Sequence, residues 1–327
     1  MNATTASPER SASTRTSIRL STEMAVSIYN DGIAPRLIEL VRKQRAWKRN
    51  SELTWIAALA LAVVVGSLSL IAMDVTNAVL LALLVGAGAQ WALSKRPQRD
   101  IGLAMRQEIF KPLCDAAGIS YSLAPMQSNA ESFAGFGLID SFSASRFENQ
   151  LAGAYKGIVF LQTDAQLSKH GSDAGSIVFN GLLSVFELKK NYVGQTLVLK
   201  NDRCLQNVAD RFQHPPERVD LKDWTFEQSF EVYATDDAEA RSIMTPVLRG
   251  QLLALEELLG FDIQLAFTGS SMLMSVDLTE NAIDITDPGF TATDERRLQA
   301  ALIRFQAIFE TLDVLQLAGK SKAPSPI

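Results

Sequence analysis

Residues 54–93 read TWIAALALAVVVGSLSLIAMDVTNAVLLALLVGAGAQWAL, with a single charge, Asp74. Residues 54–73 give twenty uncharged positions and residues 75–93 give nineteen. At a helical rise of about 1.5 Å, such a run covers roughly 30 Å, the thickness of the hydrocarbon core of a bilayer. Asp74, Thr76 and Asn77 form a polar turn between the runs. A turn that short requires antiparallel neighbours, so the stretch predicts a transmembrane helical hairpin. A signal peptide fits badly, because the first run begins only at residue 54 and exceeds an h-region in length.

The flanks of the hairpin set its orientation. Arg42, Lys43, Arg45, Lys48 and Arg49 precede the first run, Lys95, Arg96 and Arg99 follow the second, and the turn has no Lys or Arg. The positive-inside rule places both ends in the cytoplasm and the chain in the inner membrane as a multi-pass protein. Trp55 and Trp91 lie near the basic ends, where interfacial tryptophans belong. The five basic residues before the first run are candidate contacts for anionic lipid. Ala62, Gly66, Ala82 and Gly86 repeat small residues at four-residue spacing, which suits close helix packing within the hairpin or self-association.

Charge divides along the chain. Residues 1–99 carry 12 Lys+Arg and 6 Asp+Glu, net +6, whereas residues 100–327 carry 19 and 30, net −11. So acidic a domain is a poor partner for nucleic acid, where affinity rests on neutralising phosphates. Cys114 and Cys204 show no CxxC spacing, and Cys114 lies on the apolar stripe of an expected helix, to be buried there.

Residues 1–20 are rich in Ser, Thr, Ala and Arg and read as a disordered tail, as do residues 319–327. Residues 21–53 read as a cytoplasmic helix and basic juxtamembrane segment, with Ile33, Leu37 and Val41 on one face and a break or kink at Asn30-Asp31-Gly32. Residues 94–318 read as one cytoplasmic α+β domain of mainly antiparallel strands with flanking helices. Pro97 suits a helix start, Ile101, Met105, Ile109 and Leu113 mark its face, and Gly118 suits its end. Strand-like runs follow at 157–162, 176–187 and 195–200, with turns at Lys189-Lys190-Asn191 and Asn201-Asp202. Residues 230–234 (FEVYA) predict a strand, 236–259 a helix ended by Gly260, and 261–267 and 271–278 two strands joined by Thr268-Gly269-Ser270. A last amphipathic helix carries Leu298, Leu302, Phe305, Phe309 and Leu312, and Thr291 and Asp294 have capping-box spacing before it.

The richest stretch is 226–260, FEQSFEVYATDDAEARSIMTPVLRGQLLALEELLG. Asp236 and Glu239 have capping-box spacing, Thr245-Pro246 offers a second N-cap and first helical position, and Asp237 and Arg241 stand at i and i+4. Caps and a surface ion pair account for most of these residues. The alternative makes Tyr233, Asp236 and Arg241 the lining of an interaction or ligand site. Together with the double hydrophobic run and residues 178–199 (VFNGLLSVFELKKNYVGQTLVL), this stretch resembles the bacterial domain-of-unknown-function family 3137, through Phe230, Tyr233, Asp236, Ala240, Arg241, Thr245 and Pro246. Ser242 follows Arg241 where such proteins often have an aromatic. The resemblance implies architecture and no defined activity. It also suggests a LemA-like membrane protein as a partner.

Catalytic patterns are missing. His170 and His214 each lack a neighbour at metal-ligand spacing, and there is no P-loop, dinucleotide fingerprint or nucleophile elbow. No catalytic residue, cofactor or metal site is assigned. The sequence favours a membrane-anchored interaction or ligand-sensing module over the alternative, an enzyme working at the cytoplasmic membrane face.

Overall fold

The structure is a computed structural model and describes residues 17–69, 75–125, 129–169, 176–201, 215–278, 285–287 and 289–320. His170, Cys204 and His214 lie outside the described residues. The chain divides into two units, one of residues 1–22, 113–283 and 299–327, the other of residues 23–112 and 284–298.

The first unit is built on period-two alternation. Its strands are β1 (Ser120–Ser122), β2 (Ala144–Tyr155), β3 (Ile158–Lys169), β4 (Ser176–Lys200), β5 (Glu217–Arg218), β6 (Phe230–Ala234) and β7 (Asp262–Asp277). They form one antiparallel sheet of order β1-β2-β3-β4-β6-β5, with β7 also paired to β4. Lys156 and Gly157 join β2 to β3 with φ of 49° and 81°, the two left-handed residues that a two-residue hairpin of matching twist requires.

The expected turn at Lys189-Lys190-Asn191 is instead part of β4, which stays extended for 25 residues. Strand β7 pairs with both halves of β4, setting Glu187 opposite Ser271, Tyr192 opposite Gly269 and Gln195 opposite Thr268. The surplus residues of β4 bulge out between these pairs. Thr268-Gly269-Ser270 is likewise no hairpin turn but the middle of β7, where Gly269 takes a φ of 52° opposite the bulge. Polar residues that would serve a turn serve a bulge equally well, because a common partner strand holds the apolar runs on either side in register. Strand β3 pairs with the first half of β4, and β6 with the second.

Alternation gives the sheet two faces. Ala165, Leu167, Phe179, Leu183, Leu197, Leu199, Ala266 and Leu273 pack with Phe133, Leu138 and Ile139, which come from and follow helix α4 (Ala130–Gly135). The carbonyl of Leu138 accepts from Gln264 Nε2 at 2.9 Å and from Ser275 Oγ at 3.0 Å. The other face carries helix α8 (Glu295–Lys320) over its residues from 299 onward. Phe305, Phe309 and Leu312 of the expected stripe are buried, Phe309 meets Tyr155 edge-on at 5.1 Å, and Thr311 Oγ1 reaches Met274 Sδ at 3.3 Å. Helices α5 (Trp224–Ser229), α6 (Asp237–Ile243) and α7 (Pro246–Leu259) complete this unit.

The tail expected over residues 1–20 is structured from Ser17 onward, because its backbone and Arg19 find partners in the same unit. Ser17 N–H donates to Ala154 O at 2.7 Å, Ile18 N–H to Ala117 O at 2.8 Å, and Arg19 pairs with Glu310 and Asp313. Residues 1–16 and 321–327 lie outside the described residues, and Lys320 still belongs to α8.

The second unit is helical. Helix α1 (Thr22–Ile28) passes through a π-helical turn (Tyr29–Ile33) into α2 (Ala34–Ser69), so at Asn30-Asp31-Gly32, where a break or kink is expected, the helix widens and does not end. Helix α3 runs over Val75–Ala117 and passes position 97, where a helix start is expected. A proline removes one backbone hydrogen bond, which a helix of 43 residues can survive. Gly118, at φ 67°, ends α3 as the sequence predicts, and Cys114 is buried.

Residues 70–74 and many side chains of the two uncharged runs lie outside the described residues. Among the described residues, no helix is long and apolar enough to cross a membrane. Among the described aliphatic side chains of both runs, most are exposed, from 44% for Leu61 to 70% for Leu84, while Val65 and Val85 are half-buried.

Candidate functional site

The 226–260 stretch folds as its caps dictate. Strand β6 delivers Thr235 and Asp236 to the start of α6, where Asp236 Oδ1 accepts from Glu239 N–H at 2.9 Å. Thr245 Oγ1 accepts from Leu248 N–H at 3.3 Å to start α7, Pro246 takes the first position, and Gly260 closes it at φ 68°. The capping box is only half made. The Glu239 carboxylate turns away from Asp236 and accepts from the β4 bulge, from Val193 N–H at 3.2 Å and Gly194 N–H at 2.8 Å. Thr235 adds a reciprocal pair with Gln195, at 3.0 Å from its own N–H and 2.8 Å to its hydroxyl oxygen. The bulge and the α6 start thus hold each other. Space at Gly194 is tight, since a Cβ would stand 3.0 Å from Thr235 Oγ1 and 3.1 Å from Glu239 Oε2.

Tyr233, Asp236 and Arg241 turn to different neighbours. The Tyr233 ring packs against the sheet core, and its hydroxyl donates to Glu231 Oε2 at 2.7 Å, while Glu231 pairs with Arg218 at 3.2 Å. Asp236 serves as the cap. Arg241 binds Asp237 at 2.7 and 3.0 Å and reaches the carbonyl of Asp220 at 2.9 Å, with 47% of its side chain exposed.

A second locality lies in the helical unit. Arg297 is fully buried, and its guanidinium donates to the carbonyls of Thr291 at 3.0 Å, Asp287 at 2.8 Å and Phe290 at 2.9 Å, and also to Ile285. It gathers this segment of chain into a fixed loop. Tyr29 Oη donates to Ala292 O at 2.9 Å, and burial pushes its phenol up to about 12. Gln44 Nε2 donates to Thr286 O at 2.6 Å. Helix α8 starts at Glu295, three residues beyond the N-terminus that a Thr291 cap implies. Asp294 takes the capping role, accepting from Arg296 N–H at 3.1 Å and from its guanidinium at 2.8 and 3.0 Å, and Arg296 holds its carboxyl below the usual range.

Beside this loop lies an open groove of about 490 Å³, lined by Ile38, Val41, Arg42, Arg45, Ala46, Thr291 and Ala292. Two of the basic residues expected to meet lipid therefore edge a concave surface. Lys43 pairs with Glu39 at 2.7 Å, and the side chains of Lys48 and Arg49 lie outside the described residues. Sequence reading singled out the two arginines, and Thr291 only as a helix cap; it did not join them to Thr291 and Ala292, which arrive from nearly 250 positions away. It also missed Arg297, because nothing local marks an arginine whose partners are backbone carbonyls. Among the described residues, no group of three or more His, Cys, Asp or Glu side chains could hold a metal ion.

The first unit is thus an α+β domain, an antiparallel sheet with helices flanking it. Residues 177–317 match the model of the family described as "Protein of unknown function (DUF3137)". A search of the curated proteins gives no match. Among solved structures, the crystal structure of the mycobacterial trehalose monomycolate transport factor A, TtfA, aligns over 69% of this chain and 99% of its own, at 11% identity and a TM-score of 0.36. A likeness that low does not establish a shared fold.

Proposed function

We propose that the chain is a membrane-anchored interaction module of the bacterial inner membrane, its α+β domain on the cytoplasmic side and held there by a hairpin over residues 54–93. The observation that carries this reading is the exposure of aliphatic side chains on both uncharged runs. Leu59, Val63 and Val64 on α2 and Val79, Leu80, Leu83 and Leu84 on α3 are each more than half exposed. A soluble surface rarely tolerates such a set, whereas lipid tails would cover it. Ser67 fits the same setting, because its hydroxyl donates to Val63 O at 2.8 Å, one turn back, and needs no water. The basic flanks and a turn without Lys or Arg supply the orientation.

The interaction half of the proposal places the partner surface around Tyr233, Asp236 and Arg241, with a LemA-like membrane protein or a second copy of the chain as the partner. The α6 start is exposed and tied to the β4 bulge through Glu239 and Thr235, and Arg241 is held by Asp237 and the Asp220 carbonyl, which suits recognition without rearrangement. The test is crosslinking of the tagged full chain in native membranes, followed by identification of what co-purifies. A stoichiometric membrane protein that is lost from Arg241→Ala but not from wild type supports the reading. Recovery of the same partners at the same yield from both chains overturns this surface as the contact.

A further inference from the structure

We propose that the groove of Ile38, Val41, Arg42, Arg45, Ala46, Thr291 and Ala292 is a binding site for the phosphate headgroup of one anionic phospholipid. The inference rests on the membrane-anchored reading and adds to it a defined site and ligand class.

The groove has both chemistries that such a ligand needs. Val41 and Ala292 are buried beneath it, Ala46 keeps it open by being small, and Ile38 stands half exposed at its side. Arg42 and Arg45 are exposed, one turn apart on the same face of α2. That spacing lets two guanidiniums reach one phosphodiester, whose two free oxygens match their forked donors better than they match an ammonium. Arg45 is already oriented, since its Nη2 points to Phe290 O at 3.4 Å, on the loop that Arg297 fixes. The Thr291 hydroxyl on the opposite wall can donate to the same phosphate. The apolar floor suits the glycerol backbone and offers nothing to free phosphate.

Arg45 stands nine positions before residue 54, where the uncharged run begins, or about 14 Å along the axis at the helical rise. The polar layer of one leaflet is roughly 5–8 Å thick, so the Arg45 backbone of an upright helix stands about 6–9 Å beyond it, and the long side chain must span that gap to meet a headgroup. General attraction to an anionic surface acts on all five basic residues alike. A site acts through Arg42 and Arg45.

The test uses the full chain. Membranes carrying it are extracted at alkaline pH, and the pelleted protein is solubilised in mild detergent and exchanged into phosphatidylglycerol, phosphatidylcholine or inorganic phosphate. Bound molecules are counted by native mass spectrometry. The wild type is expected to retain one phosphatidylglycerol, with retention falling about tenfold or more in Arg42→Gln/Arg45→Gln. Arg42→Lys should keep partial binding, and Lys169→Gln should behave as wild type. Equal retention by the double variant, or equal binding of phosphatidylcholine, overturns the site. Binding of inorganic phosphate as tight as that of the lipid overturns the headgroup assignment. Release of the wild-type chain at alkaline pH would instead overturn the membrane reading beneath it.

Discussion

Arg304 of α8 meets Asp164 of β3 side-on, with Nε 3.1 and 2.8 Å from the two carboxylate oxygens and Nη2 2.7 Å from Oδ2. The two side chains are only 13% and 15% exposed. Asn149, at the β2 bulge with a φ of 49°, donates to the same carboxylate at 2.9 Å and accepts from the Tyr121 hydroxyl at 2.9 Å. One layer deeper, Gln162 donates to Arg304 O at 3.1 Å and accepts from Ser184 Oγ at 3.1 Å. This chain of polar contacts fixes where the last helix lies on the sheet. Removing one charge leaves the other largely buried, so Arg304→Ala should cost about 3 kcal/mol in urea unfolding. Arg304→Met with Asp164→Leu should recover much of that loss. A single variant within about 0.5 kcal/mol of wild type would show that the pair does not hold the helix.

Gly181 on β4 has no room for a side chain. A Cβ there would stand 2.0 Å from the carbonyl oxygen of Val276, a backbone atom of the paired strand β7. Gly181→Ala should therefore cost about 2 kcal/mol or more, through displaced strands. Gly135→Ala is the control, because a Cβ there meets nothing within 4 Å, and its melting temperature should equal or slightly exceed that of wild type. Equal melting of the two variants would place β7 wrongly against β4.

The caps of 226–260 predict a contrast between neighbours. Asp236→Ala removes the bond from Glu239 N–H and should cost about 1 kcal/mol. Arg241→Ala breaks an exposed i,i+4 pair and should cost clearly less than Asp236→Ala. Chemical denaturation measures both. The small effect expected for Arg241 is what makes that variant usable for partner loss, since its fold should persist.

Tyr29 predicts an alkaline signature. Its phenol is raised to about 12 from an ordinary 10.0, chiefly by burial. The folded pKa lies above the unfolded one, so this contribution to stability is complete below pH 10 and is lost as pH rises through about 12. Wild type should therefore lose stability between those values more steeply than Tyr29→Phe. At neutral pH the variant should be about 1 kcal/mol less stable, for want of the bond to Ala292 O. Parallel stability curves across the alkaline window would contradict the buried phenol.

Local signals in this chain were legible where local physics decides. Residues 230–234 form β6 as read, Asp236, Thr245 and Gly260 cap as read, and Gly118 ends α3. Errors fell where a distant partner decides. Lys189-Lys190-Asn191 has the composition of a turn, but β7 spans both sides of it and makes it a bulge. Glu239 has capping-box spacing, but the bulge offers two backbone donors that claim its carboxylate. Arg42 and Arg45 were legible as basic residues, and the groove beside them was not, because its far wall is Thr291 and Ala292.

Alkaline extraction of native membranes is the most direct measurement of the central claim, that residues 54–93 anchor the chain in a bilayer. Carbonate strips proteins held by charge and leaves those held by buried apolar helices. The full chain should remain in the membrane pellet, and a chain with Leu59, Val63, Leu80 and Leu84 all changed to Asp should move to the supernatant. Release of the unaltered chain into the supernatant would contradict the account.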